Sequence, residues 1–144
     1  MTLEADEATR LPLVSDHALH ERVSELLQGA IRRQWWTLYL DEHDVQLPLI
    51  MPVAGYPERP DEPSGEEGTA AQVLASRLSE IVEYVGAAKV VFVWERPGDA
   101  VSTTADRAWA RALGEACRAE SVAVRAQFIV HDDGARWFAL DDYA

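Results

Sequence analysis

Histidine and carboxylate side chains lie close together at three places in the sequence, at residues 16–21, 41–44 and 131–133. Together these residue types are able to bind a divalent metal ion. His17 and His20 are three residues apart, so a helix places both on one side with a carboxylate of the same segment beside them. An exposed helix face and polar turns account for all three groups more simply. We therefore expect solvated side chains rather than metal ligands at these places.

The sequence contains one cysteine and no strong motif of a nucleophilic enzyme. A catalytic thiol needs a neighbouring base and a lowered pKa, whereas Cys117 lies on the apolar stripe of a predicted helix, which favours a buried, inert thiol. Residues 102–104 lack the glycine pattern of a nucleophile elbow, and no glycine-rich phosphate-binding loop is present. A single cysteine also excludes an intramolecular disulfide and a zinc site of several cysteines.

The spacing of apolar residues predicts the helices and strands that must position any site. Helices are expected at about 16–33, at about 70–85, and from a capping signature at 103–106 to about 119. Strands are expected at 34–40, 45–53, 89–94, 122–130 and 135–140. This order predicts an α/β (α+β) fold, a mixed β-sheet of about five strands flanked by three helices.

Three local signals refine this prediction. Pro48 and Pro52 lack amide donors, which indicates an edge strand. The continuous apolar run at 89–94 indicates a buried central strand. Residues 131–134 favour a tight turn between the last two strands, because the pair of Asp133 and Gly134 supplies the positive backbone angles of a two-residue hairpin.

The chain of 144 residues suits a single domain. Residues 1–14 are expected to form a flexible acidic arm whose apolar residues 11–14 dock before the first helix, and residues 15–144 the domain itself. Residues 54–69 are rich in proline, glycine and acidic side chains, which predicts a mobile surface loop.

The charge balance excludes two classes of partner. The 25 acidic residues outnumber the 13 basic ones, giving a net charge of −12. Nucleic acids and anionic membranes are bound by clustered cations, so we expect neither as a partner. No apolar run approaches the length of a membrane span, and residues 1–10 do not resemble a signal peptide, so a cytoplasmic location is expected. Arginine outnumbers lysine by 12 to 1, a weak indication of a GC-rich bacterial source.

Five tryptophans are many for a chain of this length. Trp35 and Trp36 are adjacent, so in a strand one faces the core and the other faces a helix, a partner or water. Trp137 lies in the last predicted strand. Core packing is the simpler explanation for these side chains, and the alternative is an exposed aromatic surface that binds a protein partner.

The end of the third predicted strand carries a more specific pattern. Residues 94–99 read Trp-Glu-Arg-Pro-Gly-Asp, and residues 100–106 continue Ala-Val-Ser-Thr-Thr-Ala-Asp into a helix. This resembles the hallmark of the RadC-type JAB/MPN (JAMM) domain, a strand ending in His-x-His-Pro-Ser-Gly-Asp followed by Pro-x-Pro-Ser-x-x-Asp. The order of elements extends the resemblance over about residues 34–143. It implies a JAB/MPN-like fold with cytidine-deaminase-like layering.

The same resemblance implies that a zinc site has been lost. The family's ligands are two histidines and an aspartate, and Trp94 and Arg96 stand at the histidine positions. Only Asp106 matches a ligand, and residues 47–53, which correspond to the strand with the family's glutamate base, contain no carboxylate. Catalytic zinc needs about three protein ligands and an open water position. The resemblance therefore implies no catalytic residues, no metal and no cofactor here.

A buried carboxylate without its metal needs another partner. We predict that Arg96 pairs with Asp106 in place of the metal and that Trp94 fills the vacated space. The alternative is that Asp106 only caps its helix.

Three functions remain open at this point. The first is a catalytically inactive JAB/MPN-like module that binds a protein partner or a second copy of itself. The second is a metal-dependent, peptidase-like hydrolase with a rearranged site, in which Asp106 acts with Glu95 or Asp99. The third is a mixed α/β domain of another role.

Overall fold

Five strands form one mixed sheet in the computed structural model, which describes residues 11–65, 68–139 and 142. The elements, in chain order, are α1 (Asp16–Leu26), β1 (Gln34–Leu40), β2 (Gln46–Ala54), α2 (Ala70–Val85), β3 (Lys89–Glu95), α3 (Thr104–Ala119), β4 (Val124–His131) and β5 (Gly134–Trp137). The predicted class, a mixed five-stranded sheet with three helices, is confirmed for the described residues.

The strand order is β2-β1-β3-β4-β5. The β3–β4 pair is parallel, with α3 as its crossover, and the other three pairs are antiparallel. The middle strand, β3, is buried over almost its full length, as its apolar run predicts. The strand with the two prolines, β2, lies at an edge, where missing amide donors are tolerated.

Alternation along β3 divides the interior into two layers. Val90, Phe92 and Trp94 belong to a core cluster shared with α2 and α3. Val91 and Val93 belong to a second cluster, which includes the buried residues of α1. Side chains at even and odd positions near the end of β3 therefore enter different layers.

Two helix starts carry a capping box, and the one at residues 103–106 was predicted. Thr69 and Gln72 form a reciprocal capping box at α2, which ends at Gly86 in the left-handed conformation, with φ of 73°. Thr103 and Asp106 form the same arrangement at α3. Each box satisfies backbone amides that a helix start leaves without partners.

The first helix is shorter than predicted. It ends at Leu26 rather than near residue 33, because the following segment crosses the turn between β4 and β5. A Cβ on Gly29 would lie 3.1 Å from the Asp132 carbonyl oxygen, and the Ala30 amide donates to the His131 carbonyl at 2.9 Å. Tertiary contacts thus replace the last two predicted turns of helix.

The tight turn predicted at residues 131–134 joins β4 and β5. His131 pairs with Gly134, so the two central residues are Asp132 and Asp133 and not the Asp-Gly pair on which the prediction relied. Neither aspartate has a positive φ, whereas Gly134 does, at 144°. The described part of β5 ends at Trp137, and Leu140, where the strand was predicted to end, lies outside the described residues.

Two flanking segments touch the domain. Leu13 is buried, and its amide donates to the Asp44 carbonyl at 2.8 Å, so the docking predicted for residues 11–14 holds for Leu13. It is wrong for the other three residues, because Leu11, Pro12 and Val14 are exposed. Residues 1–10, the rest of the predicted flexible arm, lie outside the described residues. In the 54–69 loop, Tyr56 packs on the core and Pro60 is buried. The mobility of this loop stays a prediction.

Within the described residues, no helix has the length and apolar character needed to cross a bilayer.

A candidate site at the end of the central strand

An arginine–aspartate pair joins the end of β3 to the start of α3. Arg96 follows β3 directly, and Asp106 lies in the first turn of α3. Arg96 Nε and Nη2 donate to Asp106 Oδ2 at 3.1 and 3.0 Å, and Nε lies 3.4 Å from Oδ1. The side chains are only 12% and 10% exposed. The predicted pairing is therefore confirmed, although its origin as a replacement for a metal stays a prediction.

Asp106 also caps its own helix. The Thr103 amide donates to Asp106 Oδ2 at 2.8 Å, so this one oxygen accepts three hydrogen bonds. Capping and ion pairing were considered as alternatives, and the structure combines them. A shared carboxylate ties the strand, the loop and the helix start to one point.

Guanidinium groups also hold the loop between β3 and α3. The four consecutive carbonyls of residues 99–102 each accept from an arginine. Arg96 donates to the carbonyls of residues 99 and 101, at 2.5 and 2.8 Å. Arg136 donates to the carbonyl of residue 100 at 2.9 Å, and Arg107 donates to that of residue 102 at 2.8 Å. Three protein cations therefore bind the backbone of this loop.

Trp94 fills the interior beside this loop. It is 2% exposed, and its indole nitrogen donates to Gln127 Oε1 at 2.7 Å. The ring lies 5.8 Å from the Trp35 ring in a stacked arrangement and 6.0 Å from the Trp109 ring. An indole that packs on neighbouring rings and donates its N–H to a buried side chain in this way is part of the core.

The sequence prediction missed Tyr56 and Arg33. The Arg33 guanidinium lies 3.7 Å from the centre of the Tyr56 ring, and it donates to the carbonyls of Tyr56 and Pro57 at 2.7 and 3.0 Å. The Trp109 indole donates to the Pro57 carbonyl at 3.0 Å. Burial raises the pKa of Tyr56 to about 12, with smaller effects of nearby charges that include Arg33 and Asp106. A lone tyrosine in a polar loop carries no sequence signal for this position.

These residues do not fit a zinc ion. Trp94 has no lone pair to offer, Arg96 stays cationic, and Asp106 is already bound by Arg96 and the Thr103 amide. Asp99 uses Oδ1 to accept the Val101 amide at 3.0 Å. Among the described residues, no three histidine, cysteine or carboxylate side chains are grouped closely enough to bind a metal.

Glu95 faces away from Asp106, and this corrects the predicted hydrolase pair. Alternation along β3 sends Glu95 into the α1 layer, where it is 1% exposed. One carboxylate oxygen accepts the amides of Ile31 and Arg32, at 2.7 and 3.1 Å. The other accepts the side chains of Gln34 and Trp36, at 2.9 and 2.8 Å. Glu95 and Asp106 therefore have separate partners on opposite sides of the sheet.

Burial and hydrogen bonding have opposing effects on Glu95. Burial is the largest single effect and raises its pKa, but the four donors stabilise the charged form and together outweigh it, so the pKa is lowered. Glu95 is a structural anion that holds the segment after α1 against the sheet. The sequence shows only a charged residue at the end of an apolar run.

The other candidate nucleophile and histidines have ordinary positions. Cys117 is fully buried, which confirms the predicted burial of this thiol, and burial raises its pKa to about 12, with a smaller effect of Glu120. Its lack of reactivity stays a prediction. His17 pairs with Glu21 on the exposed face of α1, while His20 turns to the Ala135 carbonyl at 2.9 Å. The two histidines thus have different partners.

The three tryptophans considered for partner binding lie in different environments. Trp35 is 2% exposed and belongs to the core, so its proposed role in an interaction surface is wrong for this structure. Trp36 is partly buried and donates to Glu95. Trp137 is partly buried with its ring 4.8 Å from that of Phe128. The last two remain candidates for contact with a protein.

Comparison with known proteins does not identify the chain. No protein-family model matches the sequence, and the search of curated proteins finds no match.

Proposed function

We propose that this protein is a catalytically inactive module of JAB/MPN-like, RadC type that binds another protein or assembles with copies of itself. In this proposal Trp94 and Arg96 stand where the resembled family carries its metal-binding histidines. The binding function is inferred from the loss of catalytic groups in a fold that retains its core.

The observation that carries the proposal is the double role of the Arg96 guanidinium. It neutralises Asp106 and binds two carbonyls of the loop that follows β3. A metal ion at this position would do the same two things, since it would bind the carboxylate and order the loop. A permanent protein cation supplies both effects without an exchangeable water, so it supports structure rather than hydrolysis.

The hydrolase alternative receives less support from the same geometry. Glu95 lies in the other layer, and Asp99 and Asp106 are engaged by amides and by Arg96. A general base must reach a water beside the substrate, and neither Glu95 nor Asp106 does so without breaking its contacts. Asp99 is exposed and bound through Oδ1, so it is the carboxylate on which the hydrolase alternative depends.

The partner is expected to be a protein rather than a nucleic acid or a membrane, because the net charge is −12. Self-association stays open. The β2 edge carries Pro48 and Pro52, which makes edge-to-edge pairing through this strand less favourable. A cytoplasmic location is part of the proposal, and the buried free thiol of Cys117 is compatible with it.

Metal analysis of the purified protein tests the proposal. We expect no stoichiometric zinc or manganese, and an unchanged midpoint of thermal unfolding after EDTA treatment or with added zinc. The variant Asp106→Asn serves as the control, and it should respond to zinc in the same way as the wild type. Stoichiometric zinc that disappears in Asp106→Asn would favour the hydrolase instead.

Sedimentation velocity separates the two kinds of module. A concentration-dependent dimer at about tens of micromolar would support self-assembly, whereas a monomer at that concentration would leave a different protein as the partner.

A further inference from the structure

The outer edge of β4 is only half covered. β5 pairs with Phe128–His131, and the Phe138 amide adds one further bond to the Gln127 carbonyl at 2.9 Å. In the part of the chain that the structure describes, no strand pairs with residues 124–126 on this side. Backbone groups on an open strand edge are able to accept another strand.

A groove of about 750 Å³ lies between this edge and the C-terminal half of α3. Its floor is apolar and includes Val122, Ala126 and Phe138, which are 6%, 8% and 1% exposed. A groove with a helix on one side and an open strand edge on the other matches the geometry in which an extended peptide binds by strand addition.

The helix side of the groove carries two arginines, Arg111 and Arg118, that have no partner among the residues the structure describes. Arg111 and Arg118 line it, both are exposed, and neither makes a hydrogen bond or ion pair with the described residues. By contrast, Arg125 in the same groove is neutralised by Asp16 at 2.7 Å. Glu115 also lines the groove, so the two free guanidinium groups leave a local excess of positive charge.

We propose that this groove binds an extended acidic peptide of a partner protein, which adds to the sheet beside β4. The inference rests on the proposed binding function and names its surface and partner. Charge complementarity favours an acidic occupant, because the charged lining side chains other than the paired Arg125 are two arginines, Arg111 and Arg118, and one glutamate, Glu115. Arg111 and Arg118 are separated by about 10 Å along the helix. Two peptide carboxylates two to four residues apart span about this distance in a strand.

Fluorescence anisotropy tests the proposal with a labelled seven-residue peptide of alternating glutamate and valine. We expect saturable binding at low ionic strength. The double variant Arg111→Ala/Arg118→Ala should weaken it about fivefold or more, the loss expected for two exposed ion pairs. The matched control is Arg32→Ala/Arg77→Ala, which removes the same charge from two exposed arginines outside the groove and should change the affinity less than about twofold.

A second peptide tests strand addition itself. N-methylation of its valine amides keeps the charge but blocks backbone hydrogen bonds, and it should weaken binding by about tenfold. In NMR spectra the largest amide shifts should fall on residues 124–127.

Several results would overturn the proposal. One is the lack of saturable binding of the peptide. The others are an equal loss of affinity in the two double variants and an affinity that N-methylation of the peptide leaves unchanged. Tighter binding of single-stranded DNA than of the peptide would do so too. Higher affinity after deletion of residues 140–144 would show that the chain's own terminus competes for the groove. None of these outcomes bears on the zinc measurement, so this surface and the loss of the metal site are tested separately.

Discussion

Replacement of Glu95 by glutamine should destabilise the protein far more than the loss of one charge suggests. The carboxylate is 1% exposed and accepts four hydrogen bonds, two at each oxygen. The introduced amide has one acceptor oxygen and one NH₂ group, so two of the four donors face an NH₂ group in place of an acceptor. If the oxygen faces the two backbone amides, the Gln34 side chain is able to flip and accept, but the Trp36 indole cannot.

The magnitude follows from this count. One buried donor left without an acceptor costs about 1–3 kcal/mol, and the loss of charge from the remaining bonds adds about 1 kcal/mol. We expect Glu95→Gln to lower the free energy of unfolding by about 2–4 kcal/mol near neutral pH. Urea unfolding followed by tryptophan fluorescence measures this difference, with the exposed Glu80→Gln on α2 as the matched control, expected within about 0.5 kcal/mol of wild type.

The pH dependence has a defined sign. The pKa of Glu95 in the fold lies below its ordinary value of 4.5, so the unfolded chain binds the proton more readily. Stability from the charged form is present above about pH 4.5 and is lost as the pH falls through the lower folded pKa. The difference between wild type and Glu95→Gln should therefore shrink below about pH 4.5.

A double-mutant cycle with Trp36→Phe identifies the cause. Because this change removes the donor that the amide cannot satisfy, Glu95→Gln should cost about 1 kcal/mol less in that background. A cost below about 1 kcal/mol in the wild-type background, or equal costs in the two backgrounds, would refute the hydrogen-bond argument.

Three further outcomes are expected. A double-mutant cycle of Arg96→Met with Asp106→Asn, measured by urea unfolding, should give a coupling energy of about 1–3 kcal/mol. The same kind of cycle at the exposed Arg59–Asp61 pair should give less than about 1 kcal/mol. Equal coupling energies at the two pairs would contradict the structural role of Arg96. The Trp35 indole nitrogen is buried and has no hydrogen-bond partner among the described residues. Trp35→Phe removes this unsatisfied donor, so it should lower the free energy of unfolding by at least about 1 kcal/mol less than a tryptophan-to-phenylalanine change at a buried indole that is hydrogen-bonded. The buried thiol, with a pKa of about 12, should resist Ellman's reagent at about pH 8 until the chain unfolds, and rapid labelling of the native protein would contradict its burial.

Sequence patterns predicted the elements that depend on neighbouring residues. The bounds of β1 and α2 match the prediction, because apolar periodicity, the Thr69 capping box and Gly86 all act within a few residues. The pair of Arg96 and Asp106 was also predictable, since both belong to one motif that spans a strand end and a helix start. The sequence did not predict the early end of α1, because the segment after Leu26 forms its hydrogen bonds with Glu95 and the β4–β5 turn.

The sequence alone determined the class of fold, the buried central strand and the burial of the cysteine. These follow from residue type and local spacing, which no later contact alters. Only the tertiary structure decided which layer each charge enters: Glu95 and Arg96 are adjacent, yet the strand sends one to a buried set of donors and the other to Asp106. The tertiary structure also decided which part of the β4 edge the described strands leave open beside Arg111 and Arg118, because β5 is shorter than β4 and pairs only with its second half. Both outcomes depend on pairing between distant segments, and a linear pattern does not contain it.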